Sequence, residues 1–227
     1  MTVGIITALE EEIKPLIEAI GAVDESKWGK ASVYRGRVGN REVLLIACGV
    51  GKVKAAACTQ HLIDRFAVEA IISCGVAGAI NPGLGVGDIV VSKRALQHDF
   101  NPGGRKLLQK LRKRWLKADP TLMKLAMEAG EDLGFQGRIH QGSVLTGDQA
   151  IVSEEKRRWL WETFRGDCVE MEGAAVAKVC QLSNVPFLIV RAISDSATEE
   201  AESEFKGSLA ETAADAAKIV LVMLERT

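Results

Sequence analysis

The reading of the fold turns on AIISCGVAGAINPGLGVGDIVVS, residues 70–92. Residues 70–74 are a short apolar, β-branched run, read as a fully buried strand. The run enters GVAGAINPGLGVGD, residues 75–88, a glycine-rich segment read as a loop. Residues 89–92 (IVVS) then read as the next strand. Working outward, the same alternation recurs. Residues 3–7 (VGIIT) form a buried strand, followed by Glu10, Glu11 and Glu12 and by Ile13, Leu16, Ile17 and Ile20 at helical spacing. Acids in a first turn suit the helix dipole, and Gly21 closes the helix. Residues 32–38 and 41–47 flank Gly39-Asn40, a two-residue hairpin turn. Gly49-Val50-Gly51 opens a helix with Val53, Ala56, Ala57 and Leu62 on one side.

Further on, residues 106–117 read as a strongly basic helix and Pro120 starts another through Asp132. Residues 138–145 and 168–171 read as strands, 154–164 and 172–182 as helices. Residues 186–193 read as a strand, and a terminal helix runs from about Phe205 to Glu225. Strands alternating with helices predict an α/β fold, with a central, mixed but mainly parallel sheet flanked by helices. No repeat, low-complexity tract or linker interrupts it, so residues 1–227 are expected to form one domain. A length of 227 residues, against a prior of about 150 per domain, allows this.

Composition excludes several classes. Lys+Arg total 29 and Asp+Glu 30, a net charge of −1, so no nucleic-acid partner is expected, since phosphate binding needs a basic excess. Hydrophobic residues are 47% and charged residues 26%, the mix of a soluble globular chain. No apolar run approaches the roughly 18–20 residues of a membrane span. The start, MTVGIITALEEEIKP, carries acids where a signal peptide carries bases. The five cysteines are odd in number and lack CxxC spacing, so neither disulfides nor a zinc site is expected. A reducing cytoplasm fits. His61, His98 and His140 are scattered and form no HExxH, and no metal or cofactor is expected.

In α/β sheets, ligands gather at the carboxyl ends of strands. Four such ends carry notable residues: Glu10–Glu12, the glycine-rich segment, Glu170-Met171-Glu172, and Ser194-Asp195. Several carboxylates with no histidine, cysteine or lysine nucleophile point to general acid–base work on a neutral or cationic centre. Each has a bland alternative. Three glutamates at a helix start serve as solvated dipole partners elsewhere, and Asp195 after a strand can be a cap or turn residue. The glycine segment has neither GxGxxG nor GKS/GKT, so the nucleotide-phosphate motifs are absent.

GIITALEEEI (4–13), ACGVGKVKAA (47–56), SCGVAGAINPGLGVGDIVVS (73–92), TGDQ (146–149), VEMEGAAVAKVC (169–180) and NVPFLIVRAISDSA (184–197) together resemble the purine nucleoside phosphorylase superfamily. Within it they are most similar to the 5'-methylthioadenosine/S-adenosylhomocysteine nucleosidases. The resemblance spans the chain except about residues 100–120. It implies a nucleoside phosphorylase-like fold and cleavage of an N-glycosidic bond through an oxocarbenium-like sugar. It makes Asp195 the acid that protonates the leaving adenine, with Ser194 as its orienter, and Glu12 the group that activates water. Glu172 then binds ribose hydroxyls, Met171 packs under the sugar, Ile151 and Val152 contact the base, and Arg191 supports the strand end. Val76 and Gly78 fall in the glycine segment that borders water and ribose. The carboxylates need different protonation states, so their surroundings should separate their pKa values.

The resemblance also separates nucleophiles. Related phosphorylases hold phosphate with arginines near the first helix and in the glycine segment. Here residues 10–12 are glutamates and residues 75–87 hold no Lys or Arg, so a phosphate beside Glu12 would be repelled. Hydrolysis is therefore expected. Phosphorolysis, hydrolysis of a futalosine-type or other 5'-modified nucleoside, and a non-catalytic nucleoside-binding protein are the alternatives. Two positions depart from the pattern. Val76 stands where these hydrolases usually have Ser, and Ala150 where they have the Phe that stacks on the purine, a face worth on the order of 1 kcal/mol. That face is lost unless another aromatic supplies it, Phe100 or a tryptophan being the candidates.

RKLLQKLRKRWLK, residues 105–117, holds seven basic residues and no acid, with Leu107, Leu108, Leu111 and Trp115 on one helical face. Its stripe packs on the body or a second subunit, or else it touches a membrane or an acidic partner. By resemblance, the protein is expected to be a cytoplasmic homodimer in methionine salvage.

Overall fold

The chain, described over residues 2–21, 24–100 and 114–226 of a computed structural model, begins with β1 (Thr2–Thr7) and α1 (Glu10–Ile20). Three strands follow, β2 (Asp24–Trp28), β3 (Ala31–Val38) and β4 (Arg41–Ala47), and then α2 (Lys52–Phe66). Next come β5 (Ala70–Ala79), β6 (Ile89–Gln97), β7 (Leu116–Lys117) and α3 (Pro120–Asp132). The chain continues with β8 (Ile139–Thr146), α4 (Glu154–Phe164), β9 (Cys168–Glu170) and α5 (Gly173–Ser183). It ends with β10 (Phe187–Asp195) and α6 (Ala201–Glu225).

The ten strands of the described residues form one mixed sheet. β1 lies parallel between β4 and β5, β10 is parallel to β5, and β6, β8 and β9 are mutually parallel neighbours. β10 meets β6, and β9 meets β5, antiparallel. The path from β5 through β10, β6, β8 and β9 therefore returns to β5. The β2–β3–β4 arm extends from β1, with Val38 opposite Arg41 across the expected Gly39-Asn40 turn.

Both faces of the central strands are buried, as parallel strands require. Ile5 and Ile72 face α1, α3 and α6, with Leu16, Ala126 and Val220 in one cluster. Ile6 and Ile71 face α2 and α5, with Leu62 and Val176 in the other. Among the described residues no helix is long and apolar enough to cross a membrane.

Several boundaries differ from expectation. The expected loop after Cys74 is strand: β5 continues to Ala79, with every residue buried. Its glycines are there for close approach. A Cβ on Gly75 would lie 2.8 Å from Cδ of Glu12, and one on Gly78 would lie 2.7 Å from Oδ1 of Asp195. On α2 the buried face is Ala55, Cys58, Thr59 and Leu62, at i, i+3, i+4 and i+7. Val53, read as sharing one side with Leu62, is 81% exposed, whereas Leu62 is buried. β2 was not anticipated, its residues being almost all polar. β6 runs on to Gln97, and α6 begins four residues before Phe205. The expected basic helix over 106–117 fails at its end, where Leu116 and Lys117 pair with β6 and the Trp115 ring lies under Arg94 at 4.1 Å. Residues 101–113, which carry most of that segment, lie outside the described residues.

Candidate active site

The carboxyl ends of β1, β5, β9 and β10 surround a cavity of about 610 Å³. Asp195, Glu12, Glu172, Met171, Ile151, Val152, Ser194, Val76 and Gly78 all line it. Arg191 does not; it lies buried behind the wall.

Glu12 sits in the first turn of α1, buried. Its Oε2 accepts the backbone N–H groups of Ala8 and Leu9 at 2.8 and 2.9 Å, and its Oε1 accepts that of Val76 at 2.9 Å. The side chain thus turns back on its own helix start and spans to β5. Loss of water raises its pKa above the usual carboxylate value, while Arg191 and the three N–H donors oppose that rise.

Asp195 ends β10. Its Oδ2 accepts the Ser194 hydroxyl at 2.8 Å and its Oδ1 the Ala197 N–H at 2.9 Å. Burial raises its pKa, the two hydrogen bonds lower it, and Glu204 raises it again. The expected separation of the two carboxylates is therefore not one of sign, since both rise. It lies in the neighbours: the cation acts on Glu12, and Glu204 acts on Asp195.

Glu172 precedes α5 and its Oε1 accepts the N–H of Gly51 at 2.7 Å. Burial, followed by the charge of Glu170, pushes its pKa up to about 7. Glu170, noted in the sequence as a strand-end carboxylate but given no role there, is the hub. Its Oε2 accepts from Nη2 of Arg191 at 2.7 Å and from the N–H groups of Glu172 and Gly173 at 3.0 and 2.6 Å. Its Oε1 accepts the Thr146 hydroxyl, whose oxygen accepts the Ala174 N–H at 2.8 Å. Arg191 also donates to Ser73 Oγ at 2.9 Å. Two charges this deeply buried are held only because nearly every polar atom is used; Nε of Arg191 is the one left without a partner.

The aromatic face comes from an unexpected place. Phe205 of α6, half-buried, is the one aromatic among the described residues lining the cavity, and Ala201 and Leu209 line it beside Phe205. Phe100 is 51% exposed and lines nothing there. The i, i+4 spacing of 201, 205 and 209 puts the three on one helix face, a signal available in the sequence. Among the described residues, none that lines the cavity is Lys or Arg. Among the described residues, no group of His, Cys, Asp and Glu is arranged to hold a metal ion.

An apolar cavity edged by four buried carboxylates, Glu12, Glu170, Glu172 and Asp195, with no lining cation among the described residues, is built for acid–base work on an uncharged ligand. The chain belongs to the phosphorylase superfamily, whose family profile matches residues 2–225. It is 34% identical to the 5'-methylthioadenosine/S-adenosylhomocysteine nucleosidase of Staphylococcus epidermidis, over 98% of this chain and 99% of that one. It is 33% identical to the aminodeoxyfutalosine nucleosidase of Campylobacter jejuni, over 100% and 99%. The 5'-methylthioadenosine/S-adenosylhomocysteine nucleosidase of Neisseria meningitidis, solved with methylthio-immucillin-A, superposes with a TM-score of 0.92. That comparison is at 33% identity and covers 100% and 99% of the two chains.

Proposed function

We propose that this chain hydrolyses the N-glycosidic bond of 5'-substituted adenosines, 5'-methylthioadenosine and S-adenosylhomocysteine among them, and releases adenine. The observation that carries the reading is the pairing of Asp195 and Glu12, two buried carboxylates of raised pKa that line one cavity. Asp195 gives its proton to N7 of the purine as the bond from N9 to C1' breaks, and the bonding pair leaves with adenine. Glu12 takes a proton from the water that attacks C1'. A group with raised pKa suits the first role, because it holds its proton nearer neutral pH. Ser194 aims the Asp195 carboxyl. Glu172 accepts from the ribose hydroxyls, with Met171 beneath the sugar and residues 151–152 beside the base. Arg191, through Glu170, supports the ends of β9 and β10. Val76 brings an N–H to Glu12 and no hydroxyl to the water.

Water is favoured over phosphate as nucleophile. The backbone N–H groups of Ala8, Leu9 and Val76, a ready anion cradle, are filled by Glu12. Arg191 is committed to Glu170. A phosphate dianion here would meet the Glu12 anion and, among the described lining residues, no cation.

A second reading, hydrolysis of an aminodeoxyfutalosine-type nucleoside, is favoured by the Campylobacter jejuni relative. Assay of adenine release across a panel of 5'-substituted adenosines, with and without inorganic phosphate, decides between substrates and between nucleophiles. A merely nucleoside-binding protein would bind adenine and turn over none of them.

The same reading makes the protein a cytoplasmic homodimer acting in methionine salvage. A second cavity of about 800 Å³, lined by Trp28, Val53 and Ala57, joins the first through Leu9 and Val50. Val50 and Val53 stand exposed there, a face that a second copy would cover. Light scattering at micromolar concentration giving the mass of one chain would remove the dimer from this reading.

A further inference from the structure

Three segments distant in sequence close on one another beside the cavity. Nζ of Lys52, the first residue of α2, lies 2.6 and 2.7 Å from the two carboxylate oxygens of Asp99. Oδ2 of Asp99 also accepts the backbone N–H of Asp148 at 2.9 Å. Oδ1 of Asp148 in turn accepts the backbone N–H of Lys52 at 2.9 Å, and its Oδ2 lies 3.6 Å from the Lys52 ammonium. The ring is complete: ammonium to carboxylate, carboxylate to amide, carboxylate back to the amide at the helix start. Gly51, which caps α2, has no side chain to offer, so Asp148 supplies the N-terminal acceptor from another segment. Lys52 and Asp99 keep only 19% and 14% of their side-chain surface in water, so their attraction is less screened than that of a surface pair. The imidazole of His98 packs closely against Gly147, where a Cβ would lie 2.6 Å from Cε1. His98 N–H donates to Thr146 O at 2.9 Å, which fixes the same segment from its other side.

What the ring holds is what matters. On one side the next amide is that of Gly51, the donor to Glu172. On the other the next residues are Gln149, Ala150, Ile151 and Val152, which line the cavity. None of the three ring side chains lines the cavity itself.

We propose that Lys52, Asp99 and Asp148 form a clasp that positions the sugar-binding carboxylate and the base-side segment 149–152 together, with Lys52 as its key positioning residue. The proposal rests on the nucleosidase reading for its kinetic effect and not for its structural one. Fixing ligand-contacting groups from behind is how binding sites retain their geometry, and a displacement of about 1 Å is felt as roughly 100-fold in rate.

The test uses Lys52→Met, which keeps the length of the side chain and removes the ammonium, with Lys52→Arg as the conservative rescue. Hydrogen–deuterium exchange of residues 49–52 and 147–152 is followed without substrate, and kcat, KM and the pH profile of kcat/KM are measured alongside. Lys52→Met is expected to speed exchange in both segments and to lower kcat/KM on the order of tenfold, chiefly through KM. The acid limb of the profile is expected to move to higher pH, because Glu172 faces Glu170, Glu12 and Arg191 unchanged while losing the Gly51 N–H that favours its charged form. Lys52→Arg restores part of each change. Unchanged exchange with unchanged kcat/KM overturns the clasp, as does a fall in kcat alone with the limb unmoved. If Lys52→Met does not fold, Asp99→Asn carries the same readouts, and its failure to alter them overturns the proposal equally. Absence of turnover by the unaltered protein defeats the nucleosidase reading only, since exchange still decides the clasp.

Discussion

The carboxylate of Glu12 and the backbone N–H of Val76 are joined at 2.9 Å, which ties the first turn of α1 to the middle of β5. The bond exists because residue 75 is glycine, leaving room for the side chain to cross. Glu12→Gln keeps one oxygen but turns an amide NH2 toward an N–H donor, either that of Val76 or those of Ala8 and Leu9. The expected result is a loss of about 1–3 kcal/mol of stability from the unsatisfied donors. A fall in kcat of about 10²–10⁴ from the missing base accompanies it. Thermal unfolding and steady-state kinetics on the same preparation check both.

Asp195→Asn separates chemistry from folding. The amide oxygen still accepts the Ala197 N–H, so the melting temperature should stay close to that of the parent. The proton that would go to the purine is gone, and kcat is expected to fall about 10²–10⁴-fold. A variant that melts normally and turns over normally would remove Asp195 from its proposed role.

Glu172 gives a prediction in pH. Its pKa stands near 7 in the folded chain against 4.5 in its ordinary state. The folded protein therefore binds more protons than the unfolded one between these values, and this group's contribution to stability declines as pH rises through that window. Glu172→Gln, neutral throughout, is expected to lose that decline. It should gain stability relative to the parent at pH 8, and the gain should shrink toward pH 5. Denaturant melts at the two pH values read the difference directly.

Phe205 supplies the aromatic surface of the cavity. Phe205→Ala is expected to raise KM several-fold, in line with about 1 kcal/mol for a ring face, while leaving kcat near its parent value. A change confined to kcat would place the ring away from the bound base or sugar.

The strand–helix alternation was legible because buried parallel strands are continuous apolar runs, and the carboxylates were legible because they stand where strands end. The GVAGA segment misled because glycine reads as loop when nothing local reports what lies across from it. Only the tertiary approach of Glu12 and Asp195 explains Gly75 and Gly78. Val53 and Leu62 read as one side because apolar residues on α2 occupy two faces, and Cys58 and Thr59 mark the buried one. Glu170 stood out as a strand-end carboxylate, but its role did not, because its partners, Arg191, Thr146 and the start of α5, come from separate parts of the chain. The clasp was invisible for the same reason, with Lys52, Asp99 and Asp148 as much as 96 positions apart.

The measurement that bears most directly on the central claim is product analysis with 5'-methylthioadenosine and inorganic phosphate both present. Hydrolysis across Asp195 and Glu12 predicts adenine and free 5-methylthioribose, at a rate independent of phosphate and lost in Asp195→Asn. Formation of the sugar 1-phosphate, or a rate that rises with phosphate, would contradict it.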